Sequence, residues 1–241
     1  MNPDHINEDV LRISSGAASI DAALGGGWPR GRIVEVFGKR DSGKATLAFT
    51  ALGGKDGAWV ELYGMLGAPR FDSSYATACG WQNQQVSYLS NKSAHNRAIE
   101  YVEKLVRTGN HDLVVVGGVE HLKRGDDFAQ RLCNQQMRKL CGAVMATRTC
   151  VMFLREVPTQ KAPYFPQIDD CAIGNALKFY ASVRVHLAAA PWTDKGKAGI
   201  VGQGDVCKNK YGPVFARFGY VVQHSSGLVA EETGAQQAAG Q

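Results

Sequence analysis

The sequence predicts an α/β domain with a central, mostly parallel twisted sheet, helices on both faces and an antiparallel C-terminal extension. Three observations carry this. Short apolar runs alternate with amphipathic stretches from residue 32 to residue 154, a glycine-rich loop joins a strand to a helix at 38–44, and the last third offers strands with no helical period between them. A chain of 241 residues with 44% hydrophobic content suffices for one large domain. Charged residues make up 20%, which excludes a disordered polyelectrolyte.

The elements follow in order. Residues 32–37 (RIVEVF) read as a buried strand and 42–52 as the helix after it. Residues 57–62 (GAWVEL) form a second strand. In 96–107, Ile99, Val102, Leu105 and Val106 share one helical face. Residues 112–116 (DLVVV) are a third strand, apolar enough to be covered on both faces. In 126–144, Phe128, Leu132, Met137, Leu140, Cys141 and Val144 lie on or near one stripe, and 150–154 (CVMFL) is another central strand. Residues 156–174 carry Pro158, Pro163 and Pro166 and no period, so they predict a long loop of the functional or mobile kind. Residues 182–187, 200–207 and 214–222 read as the antiparallel strands. The expected division is an N-terminal segment 1–12, a core 13–230 and a flexible tail 231–241.

The loop is the most specific signal. Gly38-Lys39-Arg40-Asp41-Ser42-Gly43-Lys44 follows a strand and opens a helix, as G-x-x-x-x-G-K requires. Its glycines let the backbone wrap an anion, and successive N–H groups at a helix N-terminus point at phosphates. Lys44 adds a charge for the terminal phosphates. The next position should offer a hydroxyl to a divalent cation, but it is Ala45, and Thr46 is turned about 100° further round the helix. A carboxylate is expected at the end of a later apolar strand to orient that cation. The strand 112–116 ends instead in Gly117-Gly118, with Asp112 at its other end.

The net charge of +5 is mildly basic, compatible with a nucleic-acid partner without requiring one. Seven basic residues lie between 178 and 217 (Lys178, Arg184, Lys195, Lys197, Lys208, Lys210, Arg217) against Asp194 and Asp205. They read either as a solvated surface or as a phosphate-facing patch. The six cysteines include no C-x-x-C pair and read as small buried residues in a reducing compartment. Residues 1–9 are polar, without a secretory apolar segment, and no apolar run reaches the roughly 20 residues of a membrane span. A cytoplasmic location is expected.

The chain resembles the ATPase core of bacterial RecA recombinases. The resemblance rests on Ile13-Ser14-Ser15-Gly16, Ile20 to Gly25, Gly31 to Gly38, Gln136 to Leu140, Gly174 to Arg184 (GNALKFYASVR), and Lys208-Asn209-Lys210 with Pro213 and Phe215. It implies a RecA-like fold with ATP held by Gly38, Asp41, Ser42, Gly43, Lys44, Ala45 and Thr46. It also implies that Lys208 and Lys210 reach a neighbouring subunit's ATP, surface lysines of a hairpin being the plainer alternative. The family's second DNA loop corresponds to 156–174. Lys161 is its only basic residue, so Lys161, Asn175 and Lys178 are expected to give weak contact with single-stranded DNA. The segment before 137 that corresponds to the first DNA loop is shortened. The resemblance also leads to the expectation that the subunit-docking helix before Ile13 is missing or stunted and that the family's C-terminal domain has no counterpart in these residues.

The departures bear on chemistry. The family's water-activating glutamate aligns with Tyr63, its phosphate-sensing glutamine with Glu156, its metal hydroxyl with Ala45 and its strand-end aspartate with Gly117. An enzyme would have to use Glu61 or Asp41, neither of which stands at a family position. The resemblance therefore implies possible ATP binding, poorly held Mg²⁺ and little hydrolysis. Residues 25–31 (GGGWPRG) are similar to the ImuA-type RecA-like proteins of bacterial translesion synthesis. That likeness implies a RecA partner and a Y-family-like polymerase partner in SOS mutagenesis. The other class is a single-stranded-DNA-binding recombination protein with weak DNA-dependent ATPase activity, in which Tyr164, Phe165, Phe179 and Tyr180 stack on bases. Core packing or a subunit contact is the plainer expectation for the last two.

Overall fold

The computed structural model describes residues 10–63, 70–90, 97–122, 127–157, 173–194 and 197–229. In chain order the elements are β1 (Arg12–Ile13), α1 (Ala18–Leu24), β2 (Trp28–Pro29), β3 (Ile33–Gly38), α2 (Lys44–Leu52), β4 (Gly57–Tyr63), α3 (Ser73–Ala78), β5 (Gln85–Ser90), α4 (Arg97–Arg107), β6 (Leu113–Gly117), α5 (Asp127–Thr147), β7 (Cys150–Glu156), α6 (Gly174–Tyr180), β8 (Val183–Asp194), β9 (Lys197–Asn209), β10 (Arg217–Gln223) and β11 (Gly227–Val229). A 3-10 turn, Val119–His121, follows β6.

Among the described residues nine strands form one sheet in the order β11-β10-β9-β8-β3-β7-β6-β4-β5. From β8 to β5 every neighbouring pair is parallel, and from β8 to β11 every pair is antiparallel. β1 and β2 form a separate two-stranded ribbon. The predicted fold class stands, with its mostly parallel centre and antiparallel extension. One apolar cluster gathers residues of α1, α2 and α3 against one face of the sheet, including Ile20, Leu47, Phe49 and Ala76, with Trp81 just after α3. The other gathers α4, α5 and α6 against the opposite face, including Ile99, Val102, Met137, Leu140 and Leu177. The central strands are therefore buried on both sides, which explains their unbroken apolar runs.

Some elements depart from the sequence reading. β5 has no apolar alternation because it is the parallel edge strand, half exposed along its length. The expected strand at 214–222 starts only at Arg217, because Phe215 adopts φ +63° and turns the chain out of the extended region. The long loop 156–174 is entered by β7 as far as Glu156 and left by α6 from Gly174. Most of it, with Lys161, Tyr164 and Phe165, lies outside the described residues, as do 1–9 and the tail. No described helix is long and apolar enough to cross a membrane.

One buried charge cluster fixes the sheet's centre. Glu35 on β3 is fully buried and accepts from Arg155 Nε on β7 at 2.7 Å and from Arg184 Nε on β8 at 2.5 Å. Both guanidinium groups also lie over the Phe37 ring. Three adjacent strands are thus tied by one carboxylate, whose desolvation is offset only while both arginines stay in place.

Candidate functional site

Every parallel strand next to β3 ends at the same edge, and the loop 38–44 emerges there. Asp41 (φ 58°) and Gly43 (φ 79°) are both left-handed, so the backbone curls into a concavity that opens onto the N-terminus of α2. Such a curl directs consecutive N–H groups inward and makes an anion cradle. Lys44 folds back across it, donating from Nζ to Gly38 O (3.1 Å), Lys39 O (2.5 Å) and Ser42 Oγ (3.2 Å). Burial lowers its pKa, and the nearby Glu156, Glu120 and Asp41 oppose that shift. The loop is braced from outside: Tyr220 OH on β10 donates to Ser42 O at 2.7 Å. Burial raises the pKa of that phenol, keeping it a donor.

The loop lines a cleft of about 380 Å³ with Arg40, Phe49, Trp59, Glu61, Arg70 and Glu156 among its walls. Ala45 is exposed beside it and offers no side-chain oxygen. Thr46 is buried with Oγ1 2.8 Å from Tyr75 OH, so it turns away from the loop as the helical offset predicts. Burial pushes the Tyr75 phenol up to about 12.

Two features of this cleft were not legible in the sequence. Arg70 places one guanidinium nitrogen 2.9 Å from Glu156 and 3.6 Å from Glu120. Glu156 lies in register with Gly38, so it stands beside the phosphate loop as expected, but it is charge-compensated rather than bare. Glu120 sits on the 3-10 turn directly after the strand-end glycines, and that adjacency was the only available signal. The second feature is Glu61, which pairs in register with Gly117. Its side chain is 4% exposed; Oε2 accepts from Trp59 Nε1 at 2.7 Å and Oε1 from Arg70 N at 3.1 Å. Desolvation raises its pKa above the usual carboxylate value, against the pull of those two hydrogen bonds. A Cβ placed on Gly117 would stand 2.7 Å from Glu61 Oε2 and 3.0 Å from Trp59 Cζ2. Strand pairing thus brings the Glu61 carboxylate beside the strand-end position, 2.7 Å from where a side chain at 117 would begin. Asp41 lines the cleft on the loop itself.

The profile of the RecA N-terminal domain family matches residues 2–229. The chain belongs to the RecA family. It is 35% identical over 240 residues to Protein RecA 1 of Myxococcus xanthus, covering 92% of this chain and 68% of that one. It is 32% identical over 253 residues to Protein RecA of Borreliella afzelii, covering 96% and 68%. In fold it is similar to the RadB recombinase crystal structure, with a TM-score of 0.68 at 19% identity, covering 91% of this chain and all of that one. Membership of the RecA family supports a general place in DNA recombination and repair, in a family that binds ATP with Mg²⁺.

The remaining expected residues of this RecA-family chain lie away from the cleft. Lys208 on β9 pairs in register with Arg184, which pairs with Glu35, toward the strand ends opposite the phosphate loop. Its Nζ donates to Lys178 O (3.0 Å) and Phe179 O (3.1 Å), the last carbonyls of α6. Lys210 is exposed just beyond, with its N–H donating to Ser182 O. Neither reaches the chain's own cleft. Asn175 and Lys178 are exposed on α6 and lie 3.4 Å apart at Oδ1 and Nζ. The basic run 178–217 is not a uniform phosphate-facing patch, since Arg184 is bound to Glu35 and Arg217 to Asp205. Phe179, expected either to pack in the core or to make a subunit contact, is 73% exposed and meets Tyr180 edge-on, which removes the first alternative. Of the cysteines, Cys133 and Cys150 are buried as expected, whereas Cys207 is exposed. Among the described residues no three His, Cys, Asp or Glu side chains converge to hold a metal by themselves.

Proposed function

We propose that this protein is a RecA-family accessory factor of bacterial DNA repair that grips ATP without efficient turnover. It acts in SOS mutagenesis and translesion synthesis by docking on a working RecA recombinase, a Y-family-type polymerase, or both. One observation supports this most directly: a complete phosphate cradle faces an ion pair, Arg70 with Glu156, and no side-chain hydroxyl stands at Ala45. The left-handed turns at Asp41 and Gly43 and the Lys44 ammonium, folded onto the loop's own oxygens, support a triphosphate in the cradle. Gly38, Ser42 and Gly43 supply backbone, Lys44 charge, and Thr46 holds the wall through Tyr75. The phenol at Tyr63 and the compensated Glu156 carboxylate leave the attacking water without a poised base or amide. Lys208 and Lys210, away from the chain's own cleft, suit a neighbouring subunit's surface.

A second reading has its own support. Phe179 is exposed next to Lys178 in the chain, and the Lys208 ammonium donates to the backbone oxygens of both, which suits stacking a base near positive charge. On that reading the protein binds single-stranded DNA in recombination with weak ATPase activity.

Measuring ATP hydrolysis with and without single-stranded DNA, together with pull-downs from damaged cells, tests both. The accessory reading expects trace turnover and co-purification with RecA or a polymerase that survives Lys44→Ala. DNA-stimulated turnover near that of a working recombinase, lost in Lys44→Ala, overturns it.

A further inference from the structure

We infer that Glu61, on β4, takes over from the neighbouring strand the cation-orienting position that Gly117 at the end of β6 leaves without a side chain, making Glu61 a ligand-sphere residue for the divalent cation of bound ATP. This rests on the nucleotide reading above. A divalent cation bound with a triphosphate bridges its terminal phosphates and neutralises their charge.

The geometry carries the assignment. Glu61 and Gly117 are register partners on adjacent parallel strands. Glu61 Oε2 lies 2.7 Å from the point where a side chain at 117 would begin, close to the spacing between an aspartate's Cβ and its own carboxylate oxygens. Glycine at 117 and glutamate at 61 are thus a matched pair: a side chain at 117 meets the end of the Glu61 carboxylate, which must shift to admit it. The carboxylate is held in place by Trp59 Nε1–H and Arg70 N–H, and it lines the same cleft as Lys44 and Ala45. Outer-sphere partners held by such hydrogen bonds tune cation affinity. Burial of this carboxylate is only partly offset by its two hydrogen bonds and the charge of Arg70 nearby, and a cation at this place offsets it further. Because the described residues do not form a metal cage of their own, the cation needs the nucleotide's oxygens as well, and Glu61 acts only on the nucleotide complex.

The test measures binding of a non-hydrolysable ATP analogue by calorimetry in Mg²⁺ and in EDTA. For the wild type, Mg²⁺ strengthens binding. In Glu61→Gln that gain falls by about 10- to 100-fold, while affinity in EDTA is nearly unchanged. The swap Glu61→Ala with Gly117→Asp restores the gain, because the new carboxylate enters the vacated space and can accept from Trp59. A measurement on the wild type does not depend on variant folding: paramagnetic Mn²⁺ added with the analogue broadens the Trp59 indole N–H resonance more than that of Trp28, which lies in the separate β1–β2 ribbon. A full Mg²⁺ gain in folded Glu61→Gln, an analogue that binds the wild type equally in both buffers, or an unbroadened Trp59 signal overturns the assignment while nucleotide binding stands. Failure of the analogue to bind in either buffer overturns the nucleotide reading itself, and this assignment with it.

Discussion

Glu61 and Gly117 share one volume: the carboxylate of the first lies 2.7 Å from where the side chain of the second would start. The stability consequence is separable from any ligand. Gly117→Ala should cost about 1–3 kcal/mol by overpacking. In a Glu61→Ala background the same change should cost much less, with a coupling of about 0.5–3 kcal/mol expected for touching residues. Urea denaturation of the two single variants and the double variant gives the cycle. Strictly additive penalties would mean that the two side chains do not compete.

Burial raises the Glu61 pKa above the ordinary glutamate value of 4.5, and the sign of the resulting pH dependence follows. Between 4.5 and the raised folded value, the native state holds a proton that the unfolded chain releases. The wild type therefore loses stability from this group as pH rises through that window, and ionisation of Glu61 costs nothing below it. Relative to the wild type, Glu61→Gln should gain melting temperature as pH rises from 4.5 toward neutrality. Parallel melting curves across that range would show a carboxyl that ionises as freely as in water.

Glu35 holds two arginines from strands on either side of it. Removing one partner of a buried ion cluster leaves the others uncompensated, so Glu35→Ala should destabilise by about 3–5 kcal/mol. Arg217→Ala, which breaks an exposed pair with Asp205, should cost at most about 1 kcal/mol. Chemical denaturation of both variants compares them directly, and equal losses would contradict the account of the sheet's centre.

Arg70 neutralises Glu156 and Glu120 at the cleft. Glu156→Gln removes a negative charge beside the cradle and should tighten a triphosphate by up to about tenfold, or 1.4 kcal/mol. Arg70→Ala should weaken it in the same range. Titration with a fluorescent ATP analogue reads both, and opposite signs are the expected pattern.

Lys208 donates to the last carbonyls of α6. A cation there also favours the helix dipole, so Lys208→Ala should loosen α6 by about 0.3–1 kcal/mol. Hydrogen exchange at Leu177 and Ala181, whose N–H groups donate to Ile173 O and Leu177 O, would report it.

The parts of this protein that could be read from the sequence are those whose cause is local. The loop 38–44 announces itself because phosphate binding needs glycines, a lysine and a strand–helix junction within a few residues. The central strands announce themselves because burial on both faces permits no polar interruption. The edge strand β5 was missed because it is covered unevenly, and the turn at Phe215 because a left-handed aromatic has no sequence signature. The pairing of Glu61 with Gly117 was missed for a deeper reason. Fifty-six positions separate them, and only the order β6-β4 in the sheet makes them neighbours. Arg70 meets Glu156 and Glu120 by the same long-range logic.

The brace from Tyr220 to the carbonyl of Ser42 has a mechanical meaning. β10 belongs to the outer hairpin of the sheet, yet its phenol grips the turn that would cup phosphate. Tyr220 is itself buried in the core, so a displacement of that outer hairpin would reach the anion pocket through the side chains packed beneath the turn.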